Sequence, residues 1–258
     1  MRLPLALLAA LPFAALPFAA LAHTTDAADD TNADDRSWSG QAEFGLAVAS
    51  GNADSETVNG KLDILREEDR WFYGLNAAAL RAESDDLLSA NRYEAGLKLG
   101  YDFSERVYTF GTLRYENDDF ASYESQLIAS AGMGYRFIDG QRTSLVGELG
   151  PGLRRWQPID EQLGVPPMRV SFETETDTIV RSSLTLRHRL TATTRLGNEL
   201  LIESGAGSTY LQNDLGLSVR MSERYALKAG YQVRHTTEVP EGIEKTDILF
   251  TTNLVVGF

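Results

Sequence analysis

Apolar and polar side chains alternate along most of the chain from Trp38 to Phe258. In residues 92–102 the odd positions carry tyrosine, alanine or leucine, whereas the even positions carry charged residues or glycine. Because successive side chains of a strand point to opposite faces, such a segment has one apolar face and one polar face. The pattern predicts amphipathic β-strands rather than helices.

About twelve such segments follow one another, and they are longer than the five or six residues typical of soluble sheets. A tilted strand crosses a bilayer in about 9–11 residues. We therefore predict an all-β fold, a transmembrane antiparallel up-and-down β-barrel of about twelve strands over residues 37–258. The predicted strands lie near 37–50, 55–66, 70–82, 91–103, 106–117, 122–137, 142–155, 174–190, 193–203, 208–220, 224–236 and 246–258.

The connections between these strands alternate between tight turns and longer polar loops, the longest at 156–173. Short periplasmic turns and long extracellular loops are typical of outer-membrane barrels, and an even strand count predicts that both termini are periplasmic. Pro151 is the one proline that falls inside a predicted strand, where we expect a bulge or an early strand end.

The first 22 residues have the pattern of a secretory signal: Arg2, then an apolar stretch, then a small-residue cleavage site ending at Ala22. An uncleaved anchor helix is the alternative. Residues 23–36 are acidic and polar, which predicts a disordered tail. The protein is therefore expected in the outer membrane of a Gram-negative bacterium after cleavage near Ala22.

The formal charge of −13 argues against nucleic-acid binding, which relies on basic surfaces. Since the chain has no cysteine, disulfides and thiolate metal sites are excluded, and we predict neither a metal nor another cofactor. The expected partners are outer-membrane lipid and, during biogenesis, periplasmic chaperones and the barrel-assembly machinery. We expect a monomer.

Aromatic residues near the strand ends are expected to face outward as membrane-interface girdles. They are Trp38, Trp71, Tyr93, Tyr101, Tyr123, Tyr135, Phe137 and Phe258.

The opposite strand parity collects charges of both signs, which can pair across strands and cross-link the interior. A structural role for these charges and a selective pathway for small solutes both remain open. The candidate lumen-lining residues are Arg92, Glu94, Lys98, Arg114, Glu116, Arg136, Glu148, Arg181, Arg187, Arg220 and Arg234, and on the same parity Arg195 and Glu199.

Catalysis by a serine hydrolase needs a serine beside a histidine base. The predicted barrel contains His188 and His235, and neither has a serine two residues later on the same strand face. We therefore predict no catalytic residues and no enzymatic activity, and keep a lipid hydrolase as a minor alternative.

A Ser-Gly-Asn-Ala-Asp-Ser-Glu-Thr run occupies residues 50–57, and shorter distinctive segments are spread over nearly all of 38–258. Together they resemble the salt-induced outer membrane protein family, the domain of unknown function numbered 481, and the 50–57 run is the most specific part of the resemblance. It implies a bacterial outer-membrane barrel without an established substrate, and the family name implies expression under salt stress. The other matching segments are 38–40, 43–45, 91–97, 115–120, 131–136 and 147–152.

The expected function is a narrow porin-like channel, or a structural envelope protein, linked to salt or osmotic stress. Ligand or surface binding at the 156–173 loop, above a plugged lumen, is the alternative suggested by Trp156, Arg154 and Arg155. A soluble β-sandwich is a further, minor alternative. The alternation that ends at Phe258 resembles the C-terminal signal of barrel assembly, so Phe258 is the predicted assembly signal.

Overall fold

A computed structural model describes residues 36–49, 55–85, 87–121, 123–158, 161–163, 168–170, 173–205, 207–240 and 243–258. The expected signal peptide at 1–22 lies outside the described residues. So does the expected acidic tail, except for its last residue, Arg36, which begins the first strand. No helix among the described residues is long and apolar enough to cross a membrane.

The described residues form one closed antiparallel barrel of twelve strands and a separate two-stranded hairpin, which confirms the predicted fold class. The hairpin, β8 and β9, lies between β7 and β10 in sequence, within the long 156–173 connection. The strands are β1 Arg36–Ala49, β2 Ser55–Glu68, β3 Trp71–Ser84, β4 Leu87–Asp102, β5 Val107–Asp118, β6 Tyr123–Asp139, β7 Thr143–Pro158, β8 Glu161–Leu163, β9 Met168–Val170, β10 Glu175–Arg189, β11 Thr194–Gly205, β12 Thr209–Arg220, β13 Tyr225–Thr236 and β14 Thr246–Gly257.

Each barrel strand pairs with the barrel strands before and after it in sequence, and β14 pairs with β1 to close the sheet. At this seam Gln41 opposes Gly257. Phe258 extends the pairing: the Gly40 amide donates to the Phe258 carbonyl at 2.7 Å, and the Phe258 amide donates to the Gly40 carbonyl at 2.9 Å. Closure satisfies edge hydrogen bonds that an open sheet would leave unpaired.

The distribution of polar and apolar side chains is inverted relative to a soluble protein. Large apolar residues such as Phe250, Leu149 and Leu97 are more than half exposed. Among the described residues, buried polar or charged side chains outnumber buried apolar ones and include Glu116 and Arg234. An apolar exterior around a polar interior is the arrangement that a barrel in lipid requires, and it argues against the soluble β-sandwich.

Pro151 neither ends β7 nor creates a bulge, so both expectations for it were wrong. The strand continues to Pro158, and its register with β6 is the same on both sides, with Ser130 opposite Gly152 and Met133 opposite Leu149. Only the intervening pairings are missing. Since proline lacks the amide hydrogen, the ladder loses bonds locally while the strand direction is kept.

The expected outward orientation of Tyr123 was also wrong. The register between β6 and β7 shifts between Tyr123 and Ser125, and the hydroxyl of Tyr123 accepts a hydrogen bond from the interior side chain of Gln126 at 2.7 Å. A bulge inserts one residue into a strand and thereby exchanges its two faces. Strict alternation could not reveal that exchange.

Candidate functional site in the barrel interior

One ion pair spans the full width of the barrel. Arg234 lies on β13 and Glu116 on β5, and these strands are six positions apart in either direction around the twelve-strand sheet. The Nη1 atom of Arg234 donates to Glu116 Oε1 at 2.5 Å, and its Nη2 atom donates to Glu94 Oε2 at 3.1 Å. Glu116 is fully buried and Arg234 is 6 % exposed. Two opposite walls therefore meet through their side chains at this level.

Further charges join this pair. Arg114 bonds Glu116 Oε2 at 2.9 Å and also pairs with Glu203 on β11. Arg92 donates to Gln232 Oε1 on β13 at 2.9 Å and forms an ion pair with Asp118 on β5 at 3.8 Å. We call this group the cross-barrel cluster; it consists of Arg92, Glu94, Arg114, Glu116, Glu203 and Arg234.

The cross-barrel cluster lies near the long-loop end of the barrel. Glu116, Glu203 and Arg234 each stand two residues before the end of strands β5, β11 and β13, all of which run toward the longer connections. The apolar side chains of Ile128 and Ile179, also almost completely buried, project from the same wall faces. Side chains thus fill the interior at this end.

A second group, the Glu148 cluster, gathers around one carboxylate on β7. Glu148 accepts hydrogen bonds from the Tyr108 hydroxyl at 2.6 Å, from Arg181 Nη1 at 3.0 Å and from the Ser183 hydroxyl at 3.2 Å. Lys98 on β4 pairs with the same carboxylate. Because a buried charge is costly unless it is paired and hydrogen-bonded, these donors compensate the Glu148 carboxylate. With Lys98 and Arg181 both paired to it, the group keeps one net positive charge.

Arg136 lies closer than these two clusters to the short-turn end of the barrel, near the end of β6. It pairs with Asp102 at 2.8 Å, donates to the Glu105 carbonyl at 3.1 Å and stacks 4.8 Å above the Tyr108 ring. Nine of the eleven predicted candidates are thus engaged in ion pairs within the described interior.

Arg187 and Arg220 differ from the other nine. Both are exposed, although each has the strand parity of the interior residues. Arg220 donates to the Ala192 carbonyl at 2.9 Å, and within the described residues Arg187 has no ion pair.

Glu203 is an addition to the predicted set. It shares strand parity with Arg195 and Glu199, so the alternation contained the signal for it. Its partner, Arg114, could not be identified in the same way. Arg114 is on β5, which is not a neighbour of β11, and no pattern within one strand identifies a contact between the two strands.

The two histidines of the barrel each contact a threonine. His188 Nδ1 is 2.8 Å from Thr143 Oγ1, and His235 Nδ1 is 2.8 Å from Thr246 Oγ1. Neither contact provides the serine nucleophile that a hydrolase requires. Among the described residues, no three histidine or acidic side chains are grouped as a metal site.

Trp156, the basis for the loop-binding alternative, is anchored to the barrel wall. Its indole nitrogen donates to Asp177 Oδ2 at 3.0 Å, and Arg154 donates to the same oxygen at 3.0 Å. The ring is therefore held against β10. In the sequence, Trp156 comes shortly before the β8–β9 hairpin.

Comparison with known proteins finds a relative by sequence and solved structures that are similar in fold. The chain is 26% identical over 227 residues to the uncharacterized protein YdiY of Escherichia coli K12, covering 88% of this chain and 85% of that protein. Its fold is similar to the translocator domain of the autotransporter NalP from Neisseria meningitidis, with a TM-score of 0.49 and 14% identity over 86% of this chain and 87% of the other. It is also similar to the COG4313 outer membrane channel of Pseudomonas putida F1, with a TM-score of 0.49 and 12% identity over 89% and 100% of the two chains.

The family is determined by sequence. Residues 42–258 match the family described as protein of unknown function, DUF481. This match confirms the resemblance drawn from the sequence motifs. Because it covers most of the chain, the protein belongs to the DUF481 family.

Proposed function

We propose that this protein is a narrow, porin-like channel of the outer membrane, and that the cross-barrel cluster restricts passage through it. The observation that carries the proposal is the ion pair between Arg234 and Glu116, which joins opposite walls. Charged side chains that meet in this way set the size and charge of what can pass.

The exterior supports the placement in a membrane. Phe44, Leu99 and Met133 are among the apolar side chains exposed on the outer face. Near the short turns, Trp71 packs 4.9 Å from Tyr101, and this edge-to-face pair suits the aromatic girdle at a membrane interface. The short turns lie at the barrel end that also holds Arg36 and Phe258, which we assign to the periplasm.

The cross-barrel cluster has features of a movable constriction. Glu203 Oε1 and Arg234 Nε are buried without a hydrogen-bond partner among the described residues. An incompletely satisfied polar network costs free energy. The closed arrangement is therefore not a fully optimised plug, and rotation of long arginine side chains offers a route to opening.

Single-channel recording in planar bilayers tests the proposal. We expect small or rare conductance steps for the native protein and larger, more frequent steps for the double variant Arg234→Ala/Glu116→Ala. Arg81→Ala is the matched control, because Arg81 pairs with Glu83 on the outward parity of β3 and Arg81 itself is exposed. Its conductance should equal that of the native protein.

Silence from both the native protein and the double variant, each folded as judged by heat-modifiable migration, would contradict a channel. The function would then move to envelope structure or to the loops. A conductance increase of equal size in Arg81→Ala would also contradict the assigned constriction.

The link to salt or osmotic stress belongs to the same proposal. A strain lacking the gene should grow more slowly than its parent after a shift to high salt, and the native gene should restore growth whereas the double variant should restore it incompletely. Equal growth of the deletion strain and its parent across salt concentrations would remove this link.

A further inference from the structure

The inner wall near the short turns carries three arginines on adjacent strands. Arg187 lies on β10, Arg195 on β11 and Arg220 on β12. Their parity is that of the interior residues. Arg187 lies on the same strand face as Arg181, and Arg195 on the same face as Glu203, and both Arg181 and Glu203 belong to interior ion pairs. All three arginines are exposed, so they face water at the barrel mouth.

The strand register places these arginines along a diagonal. Arg187 is opposite Gly197, two residues from Arg195, and Arg195 is opposite Ser218, two residues from Arg220. Diagonal neighbours in an antiparallel sheet are about 7–8 Å apart, within reach of long side chains. Arg195 lies between the other two, so a ligand with more than one charged group can contact Arg195 together with either neighbour. Arg220 also donates to the Ala192 carbonyl at 2.9 Å and keeps further donors for such a ligand.

Arg187, Arg195 and Arg220, which we call the arginine row, lack the paired carboxylates found elsewhere in the interior. Arg181 and Arg234, for example, each pair with a buried glutamate. Within the described part of the chain, no carboxylate pairs with Arg187, Arg195 or Arg220. Glu199, the other diagonal neighbour of Arg187, makes no ion pair with it.

The space beside the arginine row is open and polar. A Cβ atom at Gly197 would meet nothing within 4 Å. Ser144 lies opposite Arg187 on β7, and Ser218 lies opposite Arg195 on β12, so hydroxyl donors flank the guanidinium groups. Unpaired like charges beside one another are unfavourable, and an oxyanion would relieve the repulsion.

We propose that Arg187, Arg195 and Arg220 form a binding site for a soluble, multiply charged oxyanion, such as a solute with phosphate or carboxylate groups, that enters from the short-turn end. Planar guanidinium groups bind such groups with two parallel hydrogen bonds. This site would define the class of solute that the proposed channel carries, so its role rests on the proposed function. Binding of the oxyanion does not itself require conduction.

The test measures binding of inorganic pyrophosphate to the full chain in phosphatidylcholine nanodiscs, by phosphorus NMR line broadening and calorimetry. These discs contain no net anionic headgroup that could occupy the site. We expect saturable binding to the native protein and at least a tenfold weaker affinity for Arg187→Gln/Arg195→Gln. Arg106→Gln is the matched control, since Arg106 is an exposed arginine in the turn at the same end, between β4 and β5.

Native affinity in Arg106→Gln, together with the loss in the double variant, supports the site. Absence of saturable binding to the native protein, or an equal loss in Arg106→Gln, overturns it. Heat-modifiable migration and far-ultraviolet circular dichroism show whether each variant is folded, and Arg187→Lys/Arg195→Lys, which keeps the charge, serves if the glutamine variant does not fold. A silent channel that binds pyrophosphate would contradict the proposed function and leave the binding site intact.

Discussion

Arg234 on β13 donates to Glu116 on β5 at 2.5 Å, although 118 residues separate them along the chain. Their strands stand on opposite sides of the barrel, so the pair bridges the interior. Most other contacts in the barrel join neighbouring strands. Both side chains are buried. An ion pair in such surroundings is strongly coupled, because removal of one partner leaves the other charge buried and unpaired.

A double-mutant cycle on this pair should show that coupling. For Arg234→Met, Glu116→Gln and the double variant, we expect an interaction energy of roughly 1–3 kcal/mol in the free energy of unfolding. Urea titration in lipid vesicles, followed by tryptophan fluorescence, measures it. The same cycle on the outward-facing pair Arg81–Glu83, whose side chains are 57% and 38% exposed, should give less than about 1 kcal/mol. Equal values for the two pairs would contradict a buried bridge.

Gly40 and Phe258 should act together in barrel assembly. The ring of Phe258 occupies the space that a side chain at Gly40 would fill. Gly40→Val should therefore displace the ring and lower the amount of assembled barrel, as deletion of Phe258 should. Outer-membrane levels and heat-modifiable migration measure this. Gly111→Val is the control because a Cβ there meets nothing within 4 Å. Normal levels after deletion of Phe258 would refute its role as the assembly signal.

Gly150 should be intolerant of even a methyl group. A Cβ atom there would lie 2.6 Å from the Cα of Gly132 and would overlap the carbonyl oxygen of Ala131, and backbone cannot move aside as a flexible side chain can. We expect Gly150→Ala to destabilise the barrel by about 1–3 kcal/mol or more, measured by urea titration. Gly197→Ala, also on the interior parity but with open space, should be neutral or slightly stabilising. Equal stability of the two variants would contradict the close approach of β6 and β7.

Asp177 should hold the base of the longest loop. Since its carboxylate accepts from both Trp156 and Arg154, Asp177→Asn should weaken both contacts and move the Trp156 emission to longer wavelength. The measurement uses a background in which Trp38 and Trp71 are replaced by phenylalanine. Asp247→Asn, an exposed aspartate on β14, is the control and should leave the emission unchanged. An unchanged spectrum for Asp177→Asn would show that the anchor is not maintained in solution.

The sequence by itself determined the barrel and its two faces. A strand has a period of two, so alternation assigns each side chain to a face without any knowledge of its neighbours. Eleven of the twelve barrel strands begin and end within three residues of the prediction, and β4 begins four residues earlier than predicted, at Leu87. Parity also placed Glu94, Glu116 and Arg234 on one polar face.

Only the tertiary structure decided which of those charges meet. Alternation carries no information about the strand on the opposite wall, so the contact of Arg234 with Glu116 depends on closure of the sheet and on its register. The same holds for the bulge that turned Tyr123 inward and for the glycines that let β6 and β7 approach past Pro151. Local periodicity fixes the direction of a side chain, whereas its partner depends on how distant segments of the chain are brought together in space.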